Sequence, residues 1–113
     1  MEIKFTTNQN VSIVEMVGKL DSLTSPAAQE QIMANLQPGK EFVINAARLE
    51  YVSSAGIRVL LLIAKKLAAQ GGKAVLAGLS AEVKDVMAMT GFDHMFIFQP
   101  DVSTALKSLR KDA

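Results

Sequence analysis

Residues 41–61 read EFVINAARLEYVSSAGIRVLL. EFVINA (41–46) is a short apolar run without clean alternation, the pattern of a strand buried on both faces of a parallel sheet. After a loop, Ser53 or Ser54 caps a helix that runs to about Gln70, where Gly71-Gly72 ends it. Downstream, KAVLAG (73–78) repeats the buried-strand pattern. Ser80 then caps a helix to about Thr90, and Gly91 closes it. HMFIF (94–98) is a last short strand, and Asp101 or Ser103 caps a final helix to about Arg110.

Upstream, residues 2–7 and 10–17 alternate as two strands, with Asn8-Gln9-Asn10 as the turn between them. Val11, Ile13, Glu15 and Val17 share one face, and Ser12, Val14 and Met16 the other. Gly18 to Ser25 reads as a loop. Ser25-Pro26 starts a helix, serine as cap and proline in the first turn, which runs to about Leu36 and stops at Gln37-Pro38-Gly39. The order β β α β α β α β α predicts an α/β fold. Its sheet is mixed and mostly parallel, with an N-terminal hairpin and flanking helices, in one small domain spanning 1–113. Sites in such folds gather where strand ends lead into helix starts. YVSSAGIRVLL (51–61) is such a place.

The composition excludes several functions. The 113 residues include no cysteine, hence no disulfide framework, thiol nucleophile or thiolate metal site. Twelve basic and 11 acidic residues give a net charge of +1, which leaves no footprint for nucleic acid. The longest apolar stretch, VLLLIA (59–64), is too short to span a bilayer, and MEIKFTTNQN lacks the plan of a signal peptide. The expectation is a cytoplasmic protein without direct membrane insertion. There is no phosphate loop of P-loop or dinucleotide type. Asp21, Asp85, Asp93, Asp101 and Asp112 show no metal-like spacing. His94, the single histidine, has no evident nucleophile to serve. The methionines, among them Met87, Met89 and Met95, read as core filler. No catalytic residue, metal ligand or cofactor is expected.

On a helical wheel Ser54, Arg58, Leu62, Lys65 and Ala69 form one stripe, while Val59, Leu60, Ile63, Ala64 and Leu67 form the core face. The Ser54 stripe is therefore expected to face solvent. A helix start holds a phosphate well, through free N–H groups and the positive end of the dipole. Ala55 and Gly56 are read as leaving room around the hydroxyl, and Arg58 as within reach of a phosphate oxygen. From the residues alone the bland reading comes first: Ser53 and Ser54 are caps, and only one is needed. Asp21, at the end of a predicted strand, is expected to bring its loop near Ser54. Its own bland reading is that Asp21 or Ser22 merely orders a turn.

LEYVSSAGIRVLLLIAKKL (49–67), GKLD (18–21), GGKAVLAGLS (71–80) and VMAMTGFDHMFIF (86–98) together resemble the STAS domain of bacterial anti-sigma factor antagonists. The resemblance covers nearly the whole chain, in order. It implies a small mixed sheet flanked by helices and a binding protein rather than an enzyme. It also implies partner switching: the unphosphorylated antagonist sequesters an anti-sigma factor that is a serine kinase, phosphorylation releases it, and a PP2C-type phosphatase restores binding. By position the phosphoacceptor is Ser54, with Ser53 in reserve. The implied partner surface includes Asp21, Ser22, Ser53, Ala55, Gly56, Arg58, Leu62, Lys65, Leu79 and Ser80. Two positions depart from the pattern. Ser53 stands where the family often has an acid, and Asn45 where it often has aspartate late in the third strand. Within the same fold, other outputs are a partner-switching regulator that never reaches a sigma factor and a subunit docked on a lipid-transporter ATPase. A third class, a small phosphate-binding enzyme, lacks a credible acid/base pair here.

Overall fold

The structure is a computed structural model that describes residues 1–8, 10–36, 41–72, 74–89, 91, 94 and 96–111. Glu2–Asn8 (β1) and Val11–Leu20 (β2) form an antiparallel hairpin, with Glu2 opposite Val17 and Asn8 opposite Val11. Asn10 turns it at φ +73°, a conformation asparagine tolerates. Ser25–Ala34 (α1) leads to Glu41–Asn45 (β3), which joins β2 in parallel. Leu49–Val52 (β4) pairs in parallel with the far end of β2, beyond the reach of β3. Then come Ser54–Ala69 (α2), Ala74–Ala77 (β5), Ala81–Met89 (α3), Ile97–Gln99 (β6) and Val102–Lys111 (α4). The sheet order is β1-β2-β3-β5-β6, with β4 off that path on β2.

Strand alternation divides the apolar residues between two faces. Val14, Met16 and Leu20 of β2, Phe42 and Ile44 of β3, and Leu76 of β5 meet α1, α2 and α3 in the larger core. Val11, Val43, Val75 and Ala77 point the other way, against Ala105, Leu106 and Leu109 of α4. β3 and β5 are therefore apolar on both faces, which is why they read as unbroken runs. α2 supplies most to the larger core: Ile57, Val59, Leu60, Leu61, Ile63, Ala64 and Leu67 are all buried. Truncating one of its leucines or isoleucines to alanine costs about 2–5 kcal/mol. The helix ends as its glycines predict. Gly71 takes φ +82°, and the Gly72 N–H donates to the Leu67 carbonyl at 2.8 Å, satisfying an orphan acceptor of the last turn.

Several expectations need correction. The 18–25 loop is shorter than predicted, because β2 continues through Gly18, at φ +108°, and Lys19 to Leu20, with a register shift between Gly18 and Lys19. Strand β4 was not expected at all. The last strand is 97–99 rather than 94–98. Ser25 does not cap α1: it is the first helical residue, 5% exposed, and the cap position belongs to Thr24. Met87 is core, but Met89 is 86% exposed. Asp101, and not Ser103, caps α4, its carboxylate accepting the Thr104 N–H at 2.7 Å. Gln9, the stop at Gln37-Pro38-Gly39, Lys73, Thr90, Asp93, Met95 and Asp112 lie outside the described residues.

Candidate functional site

The carboxyl ends of β2 and β4 meet at the start of α2. Leu20 pairs with Val52, and the Ser53 N–H donates to the Leu20 carbonyl at 2.9 Å. The turn that follows Leu20 thus lies beside the helix start, as expected for Asp21. Ser53, at φ −86° and ψ 176°, is the N-cap of α2. Its hydroxyl accepts the Gly56 N–H at 3.3 Å, and its carbonyl accepts the Ile57 N–H at 2.9 Å. The two serines therefore divide the work. Ser54 is the first helical residue, is exposed, and its hydroxyl takes no hydrogen-bond partner among the described residues.

Gly56 plays a different part from the one expected. It is buried and leaves no free room around a hydroxyl. A Cβ placed there would stand 2.5 Å from the Leu20 carbonyl oxygen, 2.9 Å from Leu20 Cγ and 2.9 Å from Val52 Cγ1. It is the seat on which α2 approaches the backbone of β2. Ala55 beside it is half-buried.

The outward stripe of α2 is as the wheel predicts: Ser54, Arg58, Leu62, Lys65 and Ala69 are exposed. Arg58, Leu61, Leu62 and Lys65 line a shallow hollow of about 210 Å³. Leu62 remains 41% exposed in it. No acidic residue occurs anywhere on α2.

The turn at 21–24 is closely tied. Asp21 Oδ1 accepts the Leu23 N–H at 2.9 Å and the Thr24 N–H at 3.1 Å. The Thr24 hydroxyl accepts the Asp21 N–H at 2.9 Å and donates to the Lys19 carbonyl at 2.8 Å. The Thr24 N–H, then the Leu23 N–H and the Thr24 hydroxyl, hold the Asp21 carboxyl below its ordinary value of 3.8, with Lys19 adding a smaller push in the same direction. Asp21 does order a turn, so its bland reading is correct as far as it goes. Ser22 is exposed on that turn.

Leu79 and Ser80 stand at the same edge of the sheet but belong to another group. The Ser80 hydroxyl accepts the Val83 N–H at 3.2 Å and so caps α3. Half-buried Leu79 lines a cleft of about 220 Å³ with Lys84, Phe98, Gln99 and Pro100. Lys84 Nζ sits 5.0 Å from the centre of the Phe98 ring. Asn45, one of the departures from the family pattern, uses its side-chain oxygen to accept the Ala47 N–H at 3.2 Å, which orders the turn before β4.

Two exposed apolar residues at this edge escaped the sequence reading: Leu23, 88% exposed, and Tyr51, 51% exposed. The signal for Leu23 was present in Asp21-Ser22-Leu23-Thr24, an apolar residue inside a turn made of polar ones.

The family model described as STAS domain matches residues 2–105. BtrV of Bordetella bronchiseptica, named as a candidate anti-sigma factor antagonist, is 31% identical over 97 residues, 85% of this chain and 84% of its own. An anti-sigma factor antagonist from Mycobacterium paratuberculosis superposes with a TM-score of 0.80 at 26% identity, over 96% of this chain and 93% of its own. The unphosphorylated Bacillus anti-sigma factor antagonist SpoIIAA gives 0.79 at 17% identity, over 97% of both chains. Its phosphorylated form gives 0.73, over 96% of this chain and 99% of its own.

Proposed function

The chain belongs to the STAS domain family, and from that premise we propose that it is an anti-sigma factor antagonist switched by phosphorylation of Ser54. In this reading the unmodified protein binds an anti-sigma factor that is also a serine kinase. The kinase phosphorylates Ser54 and lets go, and a PP2C-type phosphatase resets the cycle. The protein is a substrate and a ligand, and no catalytic residue is asked of it.

One observation carries the reading. Of two adjacent serines, Ser53 spends its hydroxyl on the helix cap and Ser54 presents its own to solvent. A kinase needs an accessible hydroxyl, and a switch needs a modification that leaves the fold intact. Ser54 meets both demands. A phosphate there adds close to two negative charges at a helix start, where free N–H groups tolerate them. It also lies one turn from Arg58. A partner packed against a neutral hydroxyl then faces an unmatched charge, which acts on binding and spares stability. SpoIIAA, with the same fold, is known in both phosphorylated and unphosphorylated forms, which supports the reading by analogy.

The test is to incubate the protein with ATP and a candidate anti-sigma factor serine kinase from the same organism, and to locate the phosphate by mass spectrometry. We expect one phosphate, on Ser54. No transfer, or transfer that persists in Ser54→Ala with Ser53 also replaced, rejects the proposal. Ser54→Asp is expected to abolish kinase binding while the melting temperature stays within about 2 °C of wild type.

A further inference from the structure

The turn between β2 and α1 uses Leu23 only through its backbone. The Leu23 N–H satisfies Asp21 Oδ1, and the side chain stands 88% exposed. Any residue other than proline can supply that N–H, so the turn does not require leucine, and the core gains nothing from it. One exposed leucine is ordinary on a protein surface. This one differs in three respects. First, the chain is fixed on both sides of it, by the Thr24 hydroxyl bridging Lys19 and Asp21 and by the Asp21 carboxylate bridging Leu23 and Thr24. A backbone so fixed has little further freedom to lose when a partner buries the side chain it carries. Second, the turn adjoins the switch, since Leu20 holds the Ser53 N–H. Third, cations flank the turn. Lys19 and Arg58 are exposed, while the turn's own acid, Asp21, has its Oδ1 taken up by the Leu23 and Thr24 N–H groups.

A rigid apolar projection flanked by two cations complements an apolar pocket with acidic groups on its rim. We infer that Leu23 is the specificity-determining anchor of the docking surface, inserted into an apolar, acid-rimmed pocket of the protein that packs over the start of α2. The inference rests on the partner-switching reading and deepens it. Leu23 selects the partner, and Ser54 governs whether that partner stays. A phosphate on Ser54 faces the same acidic rim that the cations attract, so modification turns an attraction into a repulsion beside the anchor.

Calorimetric titration of the kinase with wild type and variants tests this. Leu23→Ala is expected to weaken binding about 10- to 100-fold, the change that burial of a leucine side chain carries. Its melting temperature stays within about 2 °C of wild type, because the side chain touches no core. Leu23→Met, close in volume, retains affinity within about threefold, and Leu23→Asp abolishes binding. Asp21→Ala, which removes the brace, weakens binding with Leu23 still present. It adds less when combined with Leu23→Ala than it does alone, because the two act through one contact. Leu23→Ala within twofold of wild type, while Ser54→Asp still abolishes binding, overturns the anchor and leaves the switch standing. Ser54→Asp that binds like wild type rejects the switch, and the anchor with it.

Discussion

At the start of α4, the Asp101 carboxylate accepts the Thr104 N–H at 2.7 Å; at the start of α2, the Ser53 hydroxyl accepts the Gly56 N–H at 3.3 Å. The first cap is charged, short and exposed. The second is neutral and longer, but a packed glycine lies one turn behind it, wedged under Leu20 and Val52. Helix α4 is started by electrostatics, and α2 by shape. The difference bears on function. A charged cap at Ser53 would set a fixed negative charge beside Ser54 and compete with any phosphate for the same N–H groups. With a neutral cap, and with the helix held from below, the outward hydroxyl is free to change its charge.

The comparison is most severely tested by Gly56→Ala. Alanine in place of glycine in a helix interior ordinarily stabilises by roughly 0.5–1 kcal/mol. Here the added methyl meets backbone, so a loss of about 3 kcal/mol is expected by urea denaturation. A loss under about 1 kcal/mol means that β2 yields easily, and the claim that shape holds α2 breaks. Ser53→Ala comes next, at about 1 kcal/mol, with Ser53→Asp restoring the stability but weakening partner binding through the charge it adds. For α4 the expected signature is pH dependence. The Thr104 N–H holds the Asp101 carboxyl below its ordinary value of 3.8. A carboxyl so lowered stabilises the fold above that value and loses the contribution as pH falls through its folded value. Below pH 3.8 the melting temperature of Asp101→Asn should therefore fall less steeply than that of wild type; Ser53→Ala should keep the wild-type slope. Identical slopes for Asp101→Asn and wild type would remove the electrostatic half of the comparison. The smallest effect belongs to Ser54→Ala, within about 0.5 kcal/mol of wild type, because its hydroxyl holds nothing.

Much of this was legible in the sequence for physical reasons. β3 and β5 announce themselves because both faces are buried, and α2 because its apolar face is long and its ends are marked by serine and glycine. The exposed stripe through Ser54 and Arg58 follows from helical periodicity alone. What escaped depends on contacts distant in the chain. Leu49–Val52 is too short and too mixed to read as a strand; only its partner on β2 makes it one. Gly18 looks like a strand breaker, yet the strand passes through it with a shifted register. Gly56 looks like open space because Leu20, whose carbonyl and side chain fill it, lies on another strand far upstream in the sequence. Ser25 looks like a cap because proline follows it, but Asp21 and Thr24 had already tied the chain.

The bond between the Ser53 N–H and the Leu20 carbonyl joins residues more than thirty positions apart. Closing so long a loop costs entropy that local helix formation does not recover. A chain emerging from synthesis can coil α2 and display Ser54 before β4 has found β2, but it cannot yet set Leu23 beside it. On the proposed reading, the docking surface is therefore completed only by a finished sheet. A partner that reads both features at once discriminates against half-folded copies without any separate inspection step.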